Sequence, residues 1–305
     1  MPKLPLVTIG IPTFERVEML KQALNSALQQ TYENLEIIVS DNASSDATFA
    51  FMQQINNPRV RYIRQESNLG MVGNWNACLA AARGDYFLLL SDDDLLEPRA
   101  IEILQRAYEN ETVALTYGRV GRFLNDPKNY FAAAKVPAIE SKKELISGFL
   151  VQNRPTYACS MLFCIRDKTL FYDKSYRLLF DADFWIRYLE VTPGLVHFTN
   201  AIVAKYRKHP LAETSKAKKQ EWQNEMKRLI ESQAALFSDQ QQVLRDAFFV
   251  NMSLGHSSEA KEILRKLKDA FSLRKLYTPS KNVFLLVLVR LFTQHLYQMM
   301  NGRAS

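Results

Sequence analysis

Three consecutive aspartates, Asp92, Asp93 and Asp94, directly follow a short apolar segment and one serine. The apolar residues 86–90 predict a buried strand. Adjacent carboxylates repel one another and raise one another's pKa unless a cation lies among them. A hard divalent ion with oxygen ligands, Mg²⁺ or Mn²⁺, would compensate these charges. The alternative is a solvated acidic turn that opens a helix, with Asp94 as its N-cap and Pro98 in its first turn.

The elements around the aspartates predict the edge of a parallel sheet. Strands are expected at residues 6–11, 35–39 and 60–63, and helices with apolar periodicity at residues 15–29, 46–54 and 73–83. This alternation is typical of βαβ units. Three of the strands end in polar or acidic loops, and ligands bind at such an edge in open α/β sheets. The pattern therefore predicts a nucleotide site with a metal.

The glycine pattern excludes two common kinds of nucleotide site. No GxGxxG follows the first strand, and no GxxxxGK[ST] occurs in the chain. A dinucleotide-binding fold and a P-loop are therefore not supported. A metal held by carboxylates is the expected partner of a pyrophosphate.

Four segments in order resemble the motifs of family 2 glycosyltransferases: VTIGIPTFER (residues 7–16), SDNASSDAT (40–48), NLG (68–70) and SDDD (91–94). The resemblance covers about residues 5–210. It implies a GT-A fold, which is Rossmann-like, with a mostly parallel sheet flanked by helices. It also implies a metal-dependent, inverting transfer from a nucleotide-sugar. Members often read Asp-x-Asp-Asp in the last motif, whereas Ser91 stands first here.

The resemblance assigns roles to individual residues. The residues expected to bind the nucleotide-sugar are Pro12, Thr13, Glu15, Asp41, Asn68, Gly70, Asp92 and Arg207. Asp41 would accept a hydrogen bond from the imide of the base, so a UDP- or dTDP-sugar is favoured. The expected metal ligands are Asp93, Asp94 and His209, and the pattern leaves open which aspartate touches the ion. Asp46 would support its loop, with helix capping as the alternative for Asp46 and Thr48.

A second acidic segment, FDADFWIR at residues 180–187, predicts the start of a helix. In the family pattern the base of the inverting reaction stands where Asp181 lies, while Phe180 replaces the usual glutamate. The resemblance thus implies that Asp181 deprotonates the acceptor hydroxyl. N-capping of the helix is the alternative for Asp181. Asp183 and Arg187 have the i,i+4 spacing of a helical salt bridge.

The resemblance ends near residue 210 and no strand is recognised beyond residue 214, so two regions are expected in the 305-residue chain: a catalytic domain over residues 1–212 and a helical region over residues 213–305. Residues 210–305 hold 15 basic and 9 acidic residues, which is most of the net charge of +7. This excess suits an anionic membrane surface or an acidic partner, with a solvated helical face as the alternative. The apolar run in the helix expected at residues 282–300 is too short to span a bilayer, so this helix suits peripheral membrane contact, or packing on the catalytic domain or on a second subunit in a homo-oligomer. No nucleic-acid motif accompanies it.

The cellular setting expected from the sequence is cytoplasmic, with the inner face of the membrane as an alternative. Three cysteines without CxxC spacing argue against a disulfide framework and a zinc site. No secretory signal is recognised at the start of the sequence.

The function expected is transfer of a sugar to a hydroxyl of a saccharide or lipid-linked acceptor, in the synthesis of cell-surface polysaccharide. Two alternatives remain open at this point. One is a nucleotidyltransferase of related α/β shape, and the other is a non-catalytic partner that binds nucleotide-sugar or membrane.

Overall fold

The computed structural model describes residues 4–109, 112–132, 139–142, 145–146, 149, 156–165, 169–210 and 212–232. By internal packing the chain divides into two compact units, Met1–Leu145 with Thr156–Trp222, and Ile146–Pro155 with Gln223–Ser305. The candidate site lies in the first unit. The helices expected beyond residue 232, with the membrane or oligomer contact expected of them, lie outside the described residues.

In the described part of the chain, ten strands form one mixed sheet. They are β1 (Val7–Thr13), β2 (Leu35–Asp41), β3 (Val60–Arg64), β4 (Tyr86–Leu89), β5 (Leu95–Leu96), β6 (Val113–Phe123), β7 (Phe131–Ala132), β8 (Ile139–Glu140), β9 (Met161–Cys164) and β10 (Leu195–Arg207). Their order is β3-β2-β1-β4-β9-β6-β10-β5, with β7 beside β6 and β8 beside β10. The long pairings are parallel, and the antiparallel ones span two or three residue pairs each.

The helices follow the strands as the βαβ pattern predicts. They are α1 (Val17–Leu28), α2 (Thr48–Gln53), α3 (Gly70–Ala81), α4 (Ala100–Arg106), α5 (Phe180–Val191), α6 (Glu213–Lys216) and α7 (Lys219–Ser232). Among the described residues, none of these helices combines the length and the apolar character needed to cross a membrane.

The core lies around β1, whose seven residues are all buried. A strand covered on both faces reads as a continuous apolar run, which is why the segment was recognisable in the sequence. Gly10 lets α3 approach closely, because a Cβ there would lie 2.9 Å from the Cβ of Cys78 and from the ring of Phe87. The first two strands, β1 and β2, end level with each other, since Thr13 pairs with Asp41.

The structure excludes two of the alternatives that the sequence left open. The acidic turn does not open a helix with Asp94 as N-cap, because β5 follows it and α4 begins only at Ala100, after Pro98. β5 can form there because β10 offers an open edge for antiparallel pairing. Asp181 is not the N-cap of α5 either, because Leu179 occupies that position.

Candidate active site

The three aspartates lie in the turn between β4 and β5, beside the far end of β10. Ala204 of β10 pairs with Leu96 of β5. The backbone N–H of Arg207 then donates to Asp94 Oδ1 over 3.0 Å. This pairing brings two predicted site residues from the end of the catalytic region, Arg207 and His209, to the acidic turn.

Asp92 is completely buried and held by the β1–α1 loop. Its Oδ2 accepts a hydrogen bond from Thr13 Oγ1 over 2.7 Å, and its Oδ1 lies 2.5 Å from Arg16 Nη2. Burial raises the pKa of Asp92 to about 7, although the charge of the Arg16 guanidinium acts to lower it. These contacts tie the acidic turn to the end of β1.

Asp93 is the member of the trio that contacts His209, the other side chain predicted to bind a metal. Its Oδ2 lies 2.9 Å from His209 Nε2 and 3.0 Å from Arg16 Nη1. Its side chain is 14% exposed, whereas that of Asp92 is 0% exposed. Burial raises the pKa of Asp93, but the hydrogen bond with His209 and the charge of Arg16 outweigh it and hold that pKa below its usual value.

Asp94 points into the protein, where it is 4% exposed. Besides the backbone N–H of Arg207, the thiol of Cys159 hydrogen-bonds to its carboxylate. Burial and the neighbouring Asp93 raise the pKa of Asp94 well above its usual value. The three adjacent carboxylates therefore have three different environments.

Arg207 uses its guanidinium to hold the turn. Nε donates to the backbone carbonyl of Asp93 over 2.9 Å, and Nη2 donates to Gln22 Oε1 over 2.7 Å. The guanidinium carbon also lies 4.6 Å from the centre of the Phe123 ring. These contacts link β10, α1 and the acidic turn.

Glu15 connects the loop after β1 to the loop after β2. It has a positive φ of 56°, and its carboxylate accepts hydrogen bonds from the backbone N–H and the hydroxyl of Ser45 over 2.7 and 2.8 Å. The backbone N–H of Glu15 donates to Ser44 Oγ over 3.0 Å. Pro12 lies buried in β1, opposite Ser40 of β2.

Asp46 accepts hydrogen bonds from the first residues of two helices. Its Oδ2 accepts from the backbone N–H of Val17, and its Oδ1 from that of Thr48, both over 3.0 Å. Burial raises the pKa of Asp46, but these hydrogen bonds outweigh it and lower that pKa below its usual value. Asp46 thus satisfies donors at the starts of α1 and α2, which agrees with the capping alternative.

Asp41 is fully buried at the end of β2 and has a protein donor on each oxygen. Oδ1 accepts from the backbone N–H of Ser44 over 2.9 Å, and Oδ2 from Tyr62 Oη over 2.6 Å. Arg64 Nε lies 3.9 Å from Oδ2. A carboxylate accepts about four hydrogen bonds, so capacity for a further donor remains.

Asn68 and Gly70 shape the loop before α3. Asn68 Oδ1 accepts from Asn42 Nδ2 and from the backbone N–H of Gly70, both over 2.8 Å. Gly70 has a φ of +73°, and a Cβ there would have no heavy atom within 4 Å. Glycine is therefore required at this position by its backbone conformation and not by crowding.

Asp181 lies in the first turn of α5 and lines a small pocket. The other walls are mainly aromatic and apolar: Thr156, Ala158, Met161, Phe163, Tyr172, Phe184 and Trp185. Asp181 Oδ1 accepts from the backbone N–H of Ala182 over 2.8 Å. The 3₁₀ turn Ala158–Ser160 contributes Ala158 to this pocket and the Cys159 thiol to Asp94. One turn therefore lines the Asp181 pocket and also reaches the acidic turn.

The fit of a divalent cation depends on Asp93 and His209. Within the described residues, no group of three or more His, Cys, Asp or Glu side chains is arranged to hold a metal ion. Asp93 and His209 nevertheless offer a carboxylate oxygen and an imidazole nitrogen 2.9 Å apart. Two protein ligands suffice for Mg²⁺ sites in which water and substrate phosphates complete the coordination. The pair fits such an ion.

Sequence reasoning assigned no role to Arg16, Tyr62 or Arg64, all of which contact predicted site residues. Arg16 stood within the first motif, three residues beyond Thr13, but nothing local shows that it reaches an aspartate 76 residues away. Tyr62 and Arg64 could be found from the parallel pairing of β2 with β3, which places Arg64 beside Asp41.

Comparison with known proteins identifies relatives of this chain. An uncharacterized glycosyltransferase of Rickettsia typhi is 28% identical over 221 residues, which are 70% of this chain and 67% of that protein. The chondroitin synthase of Pasteurella multocida is 36% identical over 118 residues, which are 38% of this chain and 12% of the synthase.

Two solved structures share the fold. TarS of S. aureus in complex with UDP-GlcNAc has a TM-score of 0.61 at 13% identity, over 94% of this chain and 80% of that one. A mannosyltransferase from Pyrobaculum calidifontis in complex with GDP-Man and Mn²⁺ has a TM-score of 0.57 at 14% identity, over 97% of this chain and 88% of that one. These similarities confirm the predicted GT-A fold.

A sequence model described as Glycosyl transferase family 2 matches residues 8–173, more than half of the chain. This match covers β1 to β9, and with them the acidic turn and the loops that hold it. The chain therefore belongs to glycosyl transferase family 2.

Proposed function

We propose that this glycosyltransferase moves a sugar from a nucleoside diphosphate to a hydroxyl group of a saccharide or lipid-linked acceptor, with inversion. The observation that carries the proposal is the contact between Asp93 and His209 at the ligand-binding edge of the sheet. The two side chains suit a divalent cation, Mg²⁺ or Mn²⁺. A cation bound there would neutralise charge on the departing diphosphate. The complex of a neighbour with GDP-Man and Mn²⁺ supports this.

The other two aspartates are assigned to holding the turn. Asp92 is buried against Thr13 and Arg16, and Asp94 against Arg207 and Cys159. Because their oxygens already accept hydrogen bonds inside the protein, they keep Asp93 in place beneath the diphosphate. Arg207 contributes in the same way and adds positive charge near the phosphate oxygens.

The nucleoside is assigned to the loops after β1, β2 and β3. Asp41 has one protein donor on each oxygen, so it can accept the single imide N–H of uracil or thymine. Pro12, Thr13, Glu15, Asn68 and Gly70 complete the loops around this end of the site. The complexes of TarS with UDP and UDP-GlcNAc support a nucleotide-sugar donor.

Asp181 is assigned as the general base. Inversion requires a carboxylate that takes the proton of the acceptor hydroxyl while its oxygen attacks the anomeric carbon. The walls of the small Asp181 pocket include the buried rings of Tyr172, Phe184 and Trp185, which limit the water that can reach the carboxylate. Curated relatives named chondroitin synthase and hyaluronan synthase support a saccharide acceptor and a role in polysaccharide synthesis.

The test is release of nucleoside diphosphate from a panel of UDP-, dTDP- and GDP-sugars, with saccharide acceptors and with Mn²⁺, Mg²⁺ or EDTA. We expect release with one donor and a divalent cation, and loss of release with EDTA. Asp181→Asn should lower turnover by about 10²-fold or more while UDP affinity is unchanged, because only proton transfer is removed. Glu190→Gln, an exposed position on α5, is the matched control. Full turnover in Asp181→Asn would remove Asp181 from the mechanism.

A further inference from the structure

We propose that Arg16 is a positioning residue that occupies Asp93 in the donor-free enzyme and keeps a divalent cation out until the donor's diphosphate arrives. The proposal rests on the proposed function, since it concerns the same site. It makes binding of cation and donor cooperative and names the side chain responsible.

The first observation is that Arg16 and His209 share one oxygen. Asp93 Oδ2 lies 3.0 Å from Arg16 Nη1 and 2.9 Å from His209 Nε2. A cation that binds Asp93 through this oxygen therefore meets a guanidinium already in contact with it. The two positive charges repel each other at this short separation.

The second observation is that Arg16 has an anchor that does not depend on Asp93. Nη2 lies 2.5 Å from Asp92 Oδ1, and Nε donates to Asp92 Oδ2 over 3.2 Å. One hydrogen bond, through Nε, and one close ion contact, through Nη2, hold the guanidinium against Asp92. Asp92 is in turn fixed by the hydroxyl of Thr13. Arg16 can thus leave Asp93 and remain attached to the turn through Asp92.

The third observation is that Arg16 is accessible from the site. Its side chain is 29% exposed, while the aspartate that anchors it is 0% exposed. A diphosphate at this edge offers the guanidinium more negative charge and several acceptor oxygens, instead of one shared carboxylate oxygen. Movement of Nη1 from Asp93 to a phosphate oxygen leaves Asp93 Oδ2 with His209 alone, and these two side chains are the pair that would hold the cation. The phosphate brings further oxygen ligands to the same place.

The charges around Arg16 agree with this exchange. Within the described residues, the groups facing it are Asp92 and Asp93, with Asp94 also close enough to act on its charge. Without a ligand, Arg16 supplies the positive charge that three neighbouring carboxylates require. With donor and cation bound, the cation supplies that charge and Arg16 balances the diphosphate.

The test is Mn²⁺ binding to the full chain, measured by electron paramagnetic resonance of free Mn²⁺, with and without saturating UDP. In the unmodified protein we expect UDP to tighten Mn²⁺ binding by about tenfold, within the usual range for coupled ligands. In Arg16→Gln we expect donor-free Mn²⁺ binding to be several-fold tighter and the effect of UDP to be smaller. Thermodynamic linkage requires Mn²⁺ to tighten UDP binding by the same factor.

Two further variants keep the test interpretable. Arg99→Gln removes the same charge from an exposed surface pair with Glu102 and should leave both affinities unchanged. Arg16→Gln leaves the carboxylate of Asp92 buried without its charge partner. The double variant Arg16→Gln, Asp92→Asn removes that unpaired charge and is measured as well. A structural role alone predicts weaker Mn²⁺ binding in both Arg16 variants, whereas competition predicts tighter binding.

The outcomes separate this inference from the proposed function. If UDP and Mn²⁺ promote each other equally in the unmodified protein and in Arg16→Gln, Arg16 does not compete and the inference is overturned, while the donor and metal site stand. Weaker donor-free Mn²⁺ binding in both Arg16 variants also overturns it. If no variant binds Mn²⁺ with or without UDP, both the inference and the metal part of the proposed function are wrong.

Discussion

Replacement of Asp46 tests whether one carboxylate holds two helix starts and, through them, the nucleoside loops. Its two oxygens accept from different donors, Oδ2 from Val17 N–H and Oδ1 from Thr48 N–H. Loss of a helix cap destabilises a protein by about 1 kcal/mol. We therefore expect Asp46→Ala to lower the free energy of unfolding by about 2 kcal/mol. Asp46→Asn should lower it by about 1 kcal/mol, because the amide keeps one acceptor oxygen.

The assay is thermal and denaturant unfolding at several pH values. A loss of 2 kcal/mol corresponds to a fall in Tm of about 4–8 °C for a folded region of this size. The pKa of Asp46 is lower in the folded protein than its ordinary value. Its stabilising contribution is therefore complete above the ordinary aspartate pKa and is lost as the pH falls through the lowered one. The difference between the protein and Asp46→Asn should shrink below about pH 4.

Asp126→Ala is the matched control, because Asp126 is an exposed loop residue whose carboxylate accepts one hydrogen bond, from Lys128 N–H. We expect its effect to stay within about 0.5 kcal/mol. UDP affinity should fall in the same order as the free energy of unfolding, from the unmodified protein to Asp46→Asn to Asp46→Ala, because Asp46 fixes the loop that begins at Asp41. Equal unfolding of Asp46→Ala and the unmodified protein at pH 7 would refute the double-capping argument. If the free energies of unfolding of Asp46→Asn and the unmodified protein differ as much at low pH as at pH 7, the charge argument is refuted.

Three further substitutions test other contacts. Tyr62→Phe removes the hydroxyl that donates to Asp41. We expect denaturant unfolding to show a loss of about 1–3 kcal/mol, because the acceptor is buried. An unchanged unfolding midpoint would show that water replaces the hydroxyl. Gly70→Ala should destabilise by about 1–2 kcal/mol through its positive φ alone, as a Cβ there meets nothing; a larger loss would contradict the open surroundings. Gly118→Ala places a Cβ 2.7 Å from both methyl groups of Val203, and overpacking between β6 and β10 should destabilise by about 1–3 kcal/mol; a stable variant would show that β10 can move aside.

The first half of the sheet could be predicted from the sequence because each of its strands is a local signal. Residues 6–11 and 35–39 are apolar runs that are buried on both faces, and the structure places β1 and β2 there. The acidic turn and the loop after β2 were found for the same reason, since polar residues end each run abruptly. Local pattern therefore located Asp41 and Asp93 before any contact was known.

The contacts that assemble the site could not be predicted in this way, because they join distant parts of the chain. β5 has two residues and exists because β10 pairs with it. The local sequence around residues 95–98 favours the start of a helix, so it does not indicate this strand. The pairing of Arg16 with Asp92 spans 76 positions, and that of Arg207 with Asp94 spans 113. The apolar residues 156–165 read locally as one strand, but the structure forms the turn Ala158–Ser160 first and the strand begins only at Met161.

The late position of β10 in the chain also bears on biosynthesis. During translation, the segments that carry β1 to β4 leave the ribosome long before residues 195–209 are made. The nascent chain can build the inner part of the sheet from neighbouring strands. The contacts of Arg207 and His209 with the acidic turn form only after β10, the last of the described strands, has been made. An unfinished polypeptide thus lacks the contact between Asp93 and His209 on which the proposed cation site depends.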